Sequence, residues 1–287
     1  MNKRDIRDAK CFITGAASGI GRATAIAMAD LGARLFLTDI NASQLEEAVG
    51  QIRKSGGKVD AWKALDISSF EAVREFTGAI QEEHGAMEIV MNIAGVSAWG
   101  TAELLRHEHW KRMVDINLMG PIHVIECLLP GMVSAGKGGH LVNVSSAAGL
   151  IAMPWHAAYS ASKFGLRGIS EVLRYDLRRH GIGVSVVCPG AVKTPLVGTV
   201  DIVGVDRNHP TLKKMVGRFE RHAVTTENVA HDIIRGIKRN RFMVITSFDI
   251  KLAYWLKRKF FPLYHAAMIV MNNTMTRVME ATKRNTR

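Results

Sequence analysis

Short β-prone runs alternate with helical patterns along most of the chain, and this alternation restricts the fold more than any other feature. Several runs are unbroken apolar stretches, which suit a parallel sheet that is buried on both faces. The seven predicted strands are residues 11–14, 35–39, 59–64, 89–92, 140–145, 184–188 and 242–246. The pattern predicts an α/β fold of the Rossmann type, a doubly wound parallel sheet of about seven strands covered by helices.

The alternation stops after Thr194, and about fifty residues precede the last predicted strand. This stretch contains Gly198, Gly204 and Pro210, which are typical of a loop-rich segment. We therefore predict a single Rossmann-type domain over residues 1–250, with a helical substrate lid over about 195–225. Residues 251–287 are predicted to form a basic, amphipathic C-terminal extension.

The formal charge of +12 is concentrated at the C-terminal end of the chain. Residues 235–287 contain twelve Lys and Arg against two acidic residues, an excess of +10, so the preceding 234 residues carry only +2. A basic segment of this kind suggests nucleic acid or a membrane surface as a partner. Because no nucleic-acid reading motif accompanies the charge, we expect no nucleic-acid binding.

The three cysteines, Cys11, Cys127 and Cys188, are far apart and lack C-x-x-C spacing. They predict neither a disulfide framework nor a metal site. The charged residues before the first strand leave no room for the apolar core of a signal peptide. We therefore expect a reducing compartment, the cytoplasm, with a membrane periphery as the alternative location.

A glycine-rich turn joins the first predicted strand to a helical run. Residues 14–21, Thr-Gly-Ala-Ala-Ser-Gly-Ile-Gly, place backbone amides at a helix N-terminus, where a pyrophosphate binds. Asp39 ends the second strand, where a carboxylate accepts hydrogen bonds from the adenosine ribose. Its charge would repel the 2′-phosphate of NADP and Ile40 offers no cation, so NAD is favoured over NADP. The predicted cofactor residues here are Gly15, Ser18, Gly19, Ile20, Gly21 and Asp39.

Tyr159 and Lys163 are four residues apart in a helical stretch and so share one face. A neighbouring cation stabilises a phenolate and lowers the tyrosine pKa from about 10. Taken alone, such a pair is more typical of a solvated helix face. Ser146, however, follows the fifth strand thirteen residues before Tyr159, where the carboxyl ends of parallel strands border a ligand crevice.

In order along the chain, these motifs resemble the short-chain dehydrogenase/reductase family over residues 7–194, and more loosely to 247. The resemblance implies an NAD-dependent oxidoreductase acting on CH–OH groups, and a homodimer or homotetramer. Where the family usually has a second asparagine this chain has Ile93, a departure that removes none of the catalytic groups. The further matching positions are Asp66, Asn92-Ile93-Ala94-Gly95, Asn117 and Pro189-Gly190-Ala191-Val192-Lys193-Thr194.

The resemblance implies a role for each matching residue. Tyr159 would be the general acid/base for the substrate oxygen, and Ser146 would hydrogen-bond that oxygen. Lys163 would hold the nicotinamide ribose and lower the pKa of Tyr159, while Asn117 would position a water that links Lys163 to solvent. The cofactor cleft would be lined further by Asp66, Ile67, Asn92, Ala94, Gly95, Pro189, Gly190, Val192 and Thr194.

A mostly apolar set of residues forms the candidate substrate wall. The set contains no arginine to clamp a carboxylate, which favours a small lipophilic secondary alcohol or ketone, such as a steroid-like or retinoid-like compound. The alternative is that its aromatic residues pack as core or at a subunit contact, and His156 is expected to be structural. The set is Trp99, Met153, Trp155, His156, Leu196 and Val197.

The C-terminal extension combines the basic cluster at residues 257–259 with an apolar stripe at helical a/d spacing. Its apolar stretch is too short to cross a bilayer. The helix lies either on an anionic membrane surface, or over the substrate cleft or a partner subunit, and packing is the favoured interpretation. The stripe consists of Tyr264, Met268, Met271, Met275 and Val278.

A hypothesis of another class is a non-catalytic dinucleotide-binding module that senses redox state, because a fold does not guarantee chemistry. The complete set of Asn117, Ser146, Tyr159 and Lys163 favours catalysis instead.

Overall fold

The computed structural model of the chain describes residues 5–194, 200–205, 209–210, 217 and 223–282. The strands in these residues are β1 Lys10–Thr14, β2 Arg34–Asp39, β3 Lys58–Ala64, β4 Ile89–Asn92, β5 Ala98–Trp99, β6 Gly139–Val144, β7 Ile182–Cys188, β8 Asp201–Ile202 and β9 Met243–Ile245. Seven of them form one parallel sheet in the order β3-β2-β1-β4-β6-β7-β9. The predicted doubly wound sheet is confirmed, and each predicted strand overlaps one of these seven.

The helices that the structure describes are α1 Gly19–Asp30, α2 Ala42–Lys54, α3 Phe70–His84, α4 His107–Val114, α5 Gly120–Ala135, α6 Ala157–Asp176, α7 Thr226–Lys238, α8 Phe248–Lys259 and α9 Phe261–Thr282. Local sequence explains several of their starts. Asn41, for example, accepts a hydrogen bond from the Gln44 amide and so caps α2, as its sequence position predicts. Leu45, Ala48 and Ile52, at helical spacing, are the buried face of that helix.

Helices cover both faces of the sheet. Helices α1, α2 and α7 bury Met28, Leu45 and Ile233 in a core on one face. Helices α3 and α5 bury Phe76 and Leu128 in a core on the other. Every residue of β6 and of β7 is buried, because both faces of the sheet are covered.

Two smaller features lie at the carboxyl edge of the sheet. Strands β5 and β8 form a two-stranded parallel ladder, and Gly100 forms a bridge with His156 beside it. Helices α8 and α9 pack against each other and against the domain, and Tyr264 is buried in this contact.

One continuous helix in the described residues, His107–Ala135, is long and apolar enough to cross a membrane by length and composition. It spans α4, a π-helical turn at Asp115–Met119, and α5. Met113, Asn117 and Val124 along it are fully buried within the domain. The helix is therefore a packed layer of the α/β fold.

Candidate active site

The glycine-rich turn and the loop after β4 meet where the strand order reverses, between β1 and β4. The Thr14 hydroxyl accepts hydrogen bonds from the amides of Ile93 (3.0 Å) and Ala94 (3.1 Å). Gly15 has φ +72°, and a Cβ on it would lie 2.8 Å from the Ala94 Cα. Only glycine fits this close approach, so the two loops form one crevice at the switch point of the sheet.

The N-terminus of α1 opens onto this crevice with its amides uncapped. Ser18 is the N-cap residue but makes no side-chain cap hydrogen bond, whereas the N-cap side chains of α2, α3 and α7 do. A Cβ on Gly21 would lie 1.9 Å from the Gly15 carbonyl oxygen, so the turn tolerates no side chain there. Gly19 and Ile20 are the first two residues of α1. These residues fit a bound pyrophosphate, which would accept hydrogen bonds from the amides.

Asp39 stands beside the glycine-rich turn at the end of β2. Its Oδ2 accepts a hydrogen bond from the Ala17 amide and its Oδ1 from the Asn41 amide, each at 3.0 Å. These bonds fix the carboxylate while leaving lone pairs for two ribose hydroxyls. Ile40 beside it is largely exposed and offers no positive charge.

Asp66 and Ile67 follow β3, but only the first presents its side chain to solvent. The Asp66 Oδ1 accepts hydrogen bonds from the amide and hydroxyl of Ser68, both at 2.8 Å. Ile67 is buried, and its Cδ1 would lie 2.6 Å from a Cβ on Gly120. The Ile67 side chain therefore belongs to the core, and the expected lining of the cofactor cleft by this residue stays a prediction.

Asn92 also turns its side chain into the protein. Its Nδ2 donates to the Oδ1 of Asn143 (2.9 Å), whose own amide donates to the Ser170 hydroxyl (2.9 Å). These bonds tie β4 to β6 and α6, and the expected lining of the cofactor cleft by Asn92 stays a prediction. Ile93 packs against the apolar core, so the family departure at this position affects packing.

The segment after β7 forms the opposite wall of the crevice. The Pro189 carbonyl accepts a hydrogen bond from the Ala147 amide (2.7 Å), and a Cβ on Gly190 would lie 2.6 Å from the Ser247 Oγ. Val192 is buried and forms a β-bridge with Val224, and Thr194 is half-buried. Leu196, Val197 and most of the predicted lid lie outside the described residues.

Tyr159 and Lys163 lie one turn apart on α6, and the Lys163 Nζ is 5.8 Å from the centroid of the Tyr159 ring. The Nζ donates to the Val144 carbonyl oxygen at 2.9 Å. Burial lowers the pKa of Lys163 to about 8, against a slight opposing effect of Cys188. The ammonium is therefore held beside the crevice at a cost in hydration.

Burial raises the pKa of Tyr159, and a hydrogen bond with Ser146 opposes the rise. Loss of hydration has the larger effect in the protein without cofactor, and the lowering of this pKa by Lys163 stays a prediction. Ser146 is well placed for its contact: its Oγ accepts the Ala148 amide (3.1 Å) in the turn after β6. Ser145, by contrast, donates a hydrogen bond to the Lys163 carbonyl oxygen (2.8 Å) and so binds the backbone of α6.

Asn117 lies in the π-helical turn between α4 and α5 and is fully buried. Its Oδ1 accepts from the Val96 amide and its Nδ2 donates to the Val96 carbonyl, each at 2.9 Å. A Cβ on Gly95 would lie 2.9 Å from the Asn117 Oδ1 and 3.3 Å from the Lys163 Nζ. The amide thus positions the loop after β4 beside Lys163. A relay water at Asn117 remains a prediction, and it would need an atom other than this committed amide.

Comparison with known proteins identifies the family of the chain. The profile of the short chain dehydrogenase family matches residues 9–227. The chain belongs to the short-chain dehydrogenase family. It is 31% identical over 248 residues to a Mycobacterium tuberculosis protein named as the oxidoreductase SadH, covering 86% of this chain and 88% of that one.

Solved structures share the fold of this dehydrogenase. A short-chain dehydrogenase/reductase from Burkholderia phymatum in complex with NAD is 28% identical, with a TM-score of 0.81 over 91% of this chain and 96% of that chain. An alcohol dehydrogenase from Thermococcus sibiricus, complexed with 5-hydroxy-NADP, is 23% identical, with a TM-score of 0.70 over 83% and 95%. The second likeness is one of fold alone.

The candidate substrate wall of the dehydrogenase divides into two parts. The rings of Trp99 and His156 lie 4.6 Å apart, and that of His156 is 6.2 Å from Tyr159, so these residues reach the catalytic end of α6. Trp155 is buried at φ +66° in a cluster that includes Met275 and Met279 of α9. Met153 packs on a separate cluster with Tyr264. The side chains of Trp155 and Met153 pack in these clusters, and their expected contact with the substrate stays a prediction.

His156 is buried, and burial lowers its pKa. Its Nδ1 lies 2.6 Å from the Pro154 carbonyl oxygen. Because a carbonyl can only accept, Nδ1 carries the proton of the neutral ring. This residue serves the site by holding Trp99 against Tyr159.

The sequence left open whether α9 packs over the substrate cleft, on a partner subunit or on a membrane, with packing favoured. The Tyr264 hydroxyl accepts a hydrogen bond from the Ala152 amide (2.8 Å), in the loop that leads to Trp155. Met275 packs on the Trp155 cluster. The a/d spacing of the stripe was a signal for packing, but periodicity cannot identify the surface that receives it.

Proposed function

We propose that this dehydrogenase transfers a hydride between NAD(H) and a lipophilic secondary alcohol or ketone, with Tyr159 as the general acid/base. The observation that carries the proposal is the convergence of Tyr159, Ser146 and Lys163 at the carboxyl edge of the sheet, beside the glycine-rich crevice. The nicotinamide ring of the bound cofactor supplies or accepts the hydride. The chain itself must bind the substrate oxygen and move its proton.

The proton moves at the Tyr159 hydroxyl. In reduction, Tyr159 donates a proton to the carbonyl oxygen of the substrate, and in oxidation it accepts the proton of the alcohol. Ser146 donates a hydrogen bond to the same oxygen and stabilises the charge that develops on it. Because burial keeps Tyr159 protonated, the free enzyme is prepared for reduction. Lys163 stands close enough to stabilise the phenolate that reduction leaves behind.

Preference for NAD is proposed from Asp39 and Ile40. A fixed carboxylate at the ribose position disfavours the 2′-phosphate of NADP, and no cation accompanies it. The Burkholderia phymatum relative with NAD supports this assignment. The NADP derivative in the Thermococcus sibiricus neighbour means that the preference must be measured for this chain.

A lipophilic substrate is proposed from the surroundings of Tyr159. Trp99, Val96 and Trp110 lie near it, and Trp110 and Val96 pack in the cluster that Tyr159 joins. We propose further that the enzyme works in the cytoplasm as a homodimer or homotetramer. Membership of the short-chain dehydrogenase family supports this assembly.

The test is the change Tyr159→Phe, assayed by NADH absorbance with a panel of secondary alcohols and the matching ketones. Loss of the proton-transfer group should lower turnover by about 10²-fold or more, while NADH binding stays nearly unchanged. Tyr175→Phe is the matched control, because it removes a hydroxyl from an exposed position of the same helix. Turnover of Tyr159→Phe within a few-fold of the unaltered enzyme would contradict the assigned base. NADH binding without turnover of any substrate would favour a redox-sensing module.

A further inference from the structure

The hairpin of α8 and α9 has an inner side that is attached to the domain. The Tyr264 hydroxyl holds the Ala152 amide, and the Lys257 Nζ donates to the Leu150 carbonyl oxygen at 2.8 Å. Met268 and Met275 pack beneath the helices on two apolar clusters. The stripe predicted from the sequence is thus occupied by contacts within the chain. Lys257, one of the three basic residues at 257–259, is likewise bonded to the domain.

The hairpin also exposes a large apolar surface. Eight of the twelve large apolar side chains that are exposed in the described part of the chain lie on α8, on α9 or at the corner between them, with exposed fractions between 44% and 78%. A concentration of this kind marks an interaction surface, whereas single exposed apolar residues are ordinary. These side chains, which we call the apolar ridge, are Phe248, Leu252, Trp255, Phe260, Phe261, Leu263, Ile269 and Val270.

Helical spacing places the α8 part of the ridge on one side of that helix. Phe248, Leu252 and Trp255 recur at intervals of four and three along α8, so they form a single row. The Trp255 and Phe260 rings lie 5.2 Å apart at the corner between the helices. The corner therefore presents a cluster of aromatic rings to solvent. Tryptophan in particular is enriched at the boundary between water and lipid.

Positive charges border the ridge. Lys251, Arg258 and Lys259 are exposed on α8 within one turn of Trp255, and we call them the cationic collar. Asp249 is the one acidic residue of that helix. Residues 260–276 contain no Asp, Glu, Lys or Arg, so the ridge continues along α9 without a charge. The surface combines an apolar strip with cations at its edge.

We propose that this surface docks the protein on an anionic lipid bilayer, with α8 and α9 lying in the plane of the interface. The apolar ridge enters the boundary between headgroups and acyl chains, and the cationic collar contacts anionic headgroups. The hairpin does not span the bilayer, because its inner side is bound to the domain. A second copy of the chain fits the surface less well, since two identical faces would bring two cationic collars together.

The proposal predicts that apolar and electrostatic contacts act together. One weak membrane signal gives marginal binding, and stable attachment requires two. The full-length protein should therefore co-sediment with vesicles of phosphatidylcholine and phosphatidylserine, and bind pure phosphatidylcholine vesicles at least about tenfold more weakly. Raising the salt concentration should release it from the anionic vesicles.

Two variants separate the contributions. Phe248→Ser/Leu252→Ser/Trp255→Ser removes one row of the ridge, and Lys251→Gln/Arg258→Gln/Lys259→Gln neutralises the collar. Each should lower the partition coefficient for anionic vesicles by about tenfold or more. Anionic vesicles should shift the tryptophan fluorescence emission of the unaltered protein to the blue, because Trp255 enters the lipid interface. The single change Trp255→Phe should remove that shift.

Matched controls change the same chemistry elsewhere on the surface. Val172→Ser removes an exposed apolar side chain from α6, and Lys54→Gln/Arg74→Gln/Lys137→Gln removes three exposed charges far from the hairpin in sequence. Both controls should bind vesicles as the unaltered protein does. Activity on a water-soluble secondary alcohol, measured without lipid, should be the same in all these proteins, so a failure of docking is distinguishable from a failure of the proposed reaction.

Three results would overturn the proposal. The first is binding to neutral vesicles that equals binding to anionic ones. The second is loss of vesicle binding to the same degree in the control variants and in the hairpin variants. The third is absence of vesicle binding together with a smaller particle mass for the Phe248→Ser/Leu252→Ser/Trp255→Ser protein, which would assign the ridge to a subunit contact.

Discussion

Lys163 combines deep burial with an ionisable group. Only 3% of the residue is exposed, and the Val144 carbonyl is its hydrogen-bond acceptor in the structure. A pKa of about 8 instead of 10.5 means that folding disfavours the ammonium. Functional sites commonly keep such groups at the expense of stability.

Lys163→Met should stabilise the protein without cofactor while it impairs the reaction. Below about pH 8 the folded and the unfolded chain both carry the charge, so the burial penalty, about 3 kcal/mol, is complete. The penalty declines as pH rises from about 8 to 10.5, where the folded chain has lost the proton and the unfolded chain retains it.

We expect a gain in unfolding free energy of about 1–2 kcal/mol at pH 7, because the bond to Val144 is also lost. The gain should shrink in the alkaline range. Urea denaturation at neutral and alkaline pH measures both values, with Lys54→Met as an exposed control. A less stable Lys163→Met protein at pH 7 would refute the assigned direction of the pKa shift.

Asp39→Ser should narrow the preference for NAD over NADP. The change removes the negative charge that faces the ribose position, while the serine hydroxyl still occupies the turn beside Ala17. We expect the ratio of kcat/KM for the two cofactors to fall by about tenfold or more, equivalent to about 1.4 kcal/mol. Asp66→Ser is the control, because it lies after β3 and should affect both cofactors alike. Equal kcat/KM for the two cofactors in the unaltered enzyme would contradict the role given to Asp39.

At the scale of elements, α9 links the C-terminal extension to the substrate side of the site. Its Met275 and Met279 pack in one cluster with Trp155. Trp99 packs on the same cluster, and its ring also contacts the ring of His156. The glycine-rich turn and Asp39 lie on other elements, after β1 and β2. The helix is therefore expected to influence substrate binding and to leave the cofactor site unaffected.

Removal of residues 261–287 tests this expectation. Without α9, Trp155 loses its packing on Met275 and Met279, and the Ala152 amide loses its bond to Tyr264. The KM for a lipophilic substrate should therefore rise several-fold. The KM for NAD should change by less than twofold, which also serves as the control for folding. Steady-state kinetics with each substrate varied in turn gives both values. A parallel rise in both KM values would indicate general loosening of the domain instead.

At the scale of the whole molecule, the positive charge is concentrated in the C-terminal part of the chain. Residues 1–234 are nearly neutral, and the basic excess begins within α7 and continues to the C-terminus. The structure divides that excess further: Lys257 is bound to the Leu150 carbonyl, whereas Lys251, Arg258 and Lys259 are exposed beside the apolar ridge. The total charge alone could not show which basic residue is bonded to the domain and which ones remain exposed.

Sequence by itself determined the seven sheet strands and their approximate bounds, the family, and the candidate groups for the crevice. Strand and helix periodicities are local, and the glycine-rich turn follows from which residues tolerate positive φ. The spacing between Tyr159 and Lys163 likewise ensures one shared helix face. These features require no knowledge of distant contacts.

Only the tertiary structure decided where side chains point and which faces of α8 and α9 remain exposed. Ile67 turns into the core and Asn92 toward Asn143, because neighbouring elements offer them apolar and amide partners. The pKa direction of Tyr159 depends on burial by residues far along the chain. Each outcome follows from long-range packing, which sets the hydration and the partners of a group and which local sequence does not encode.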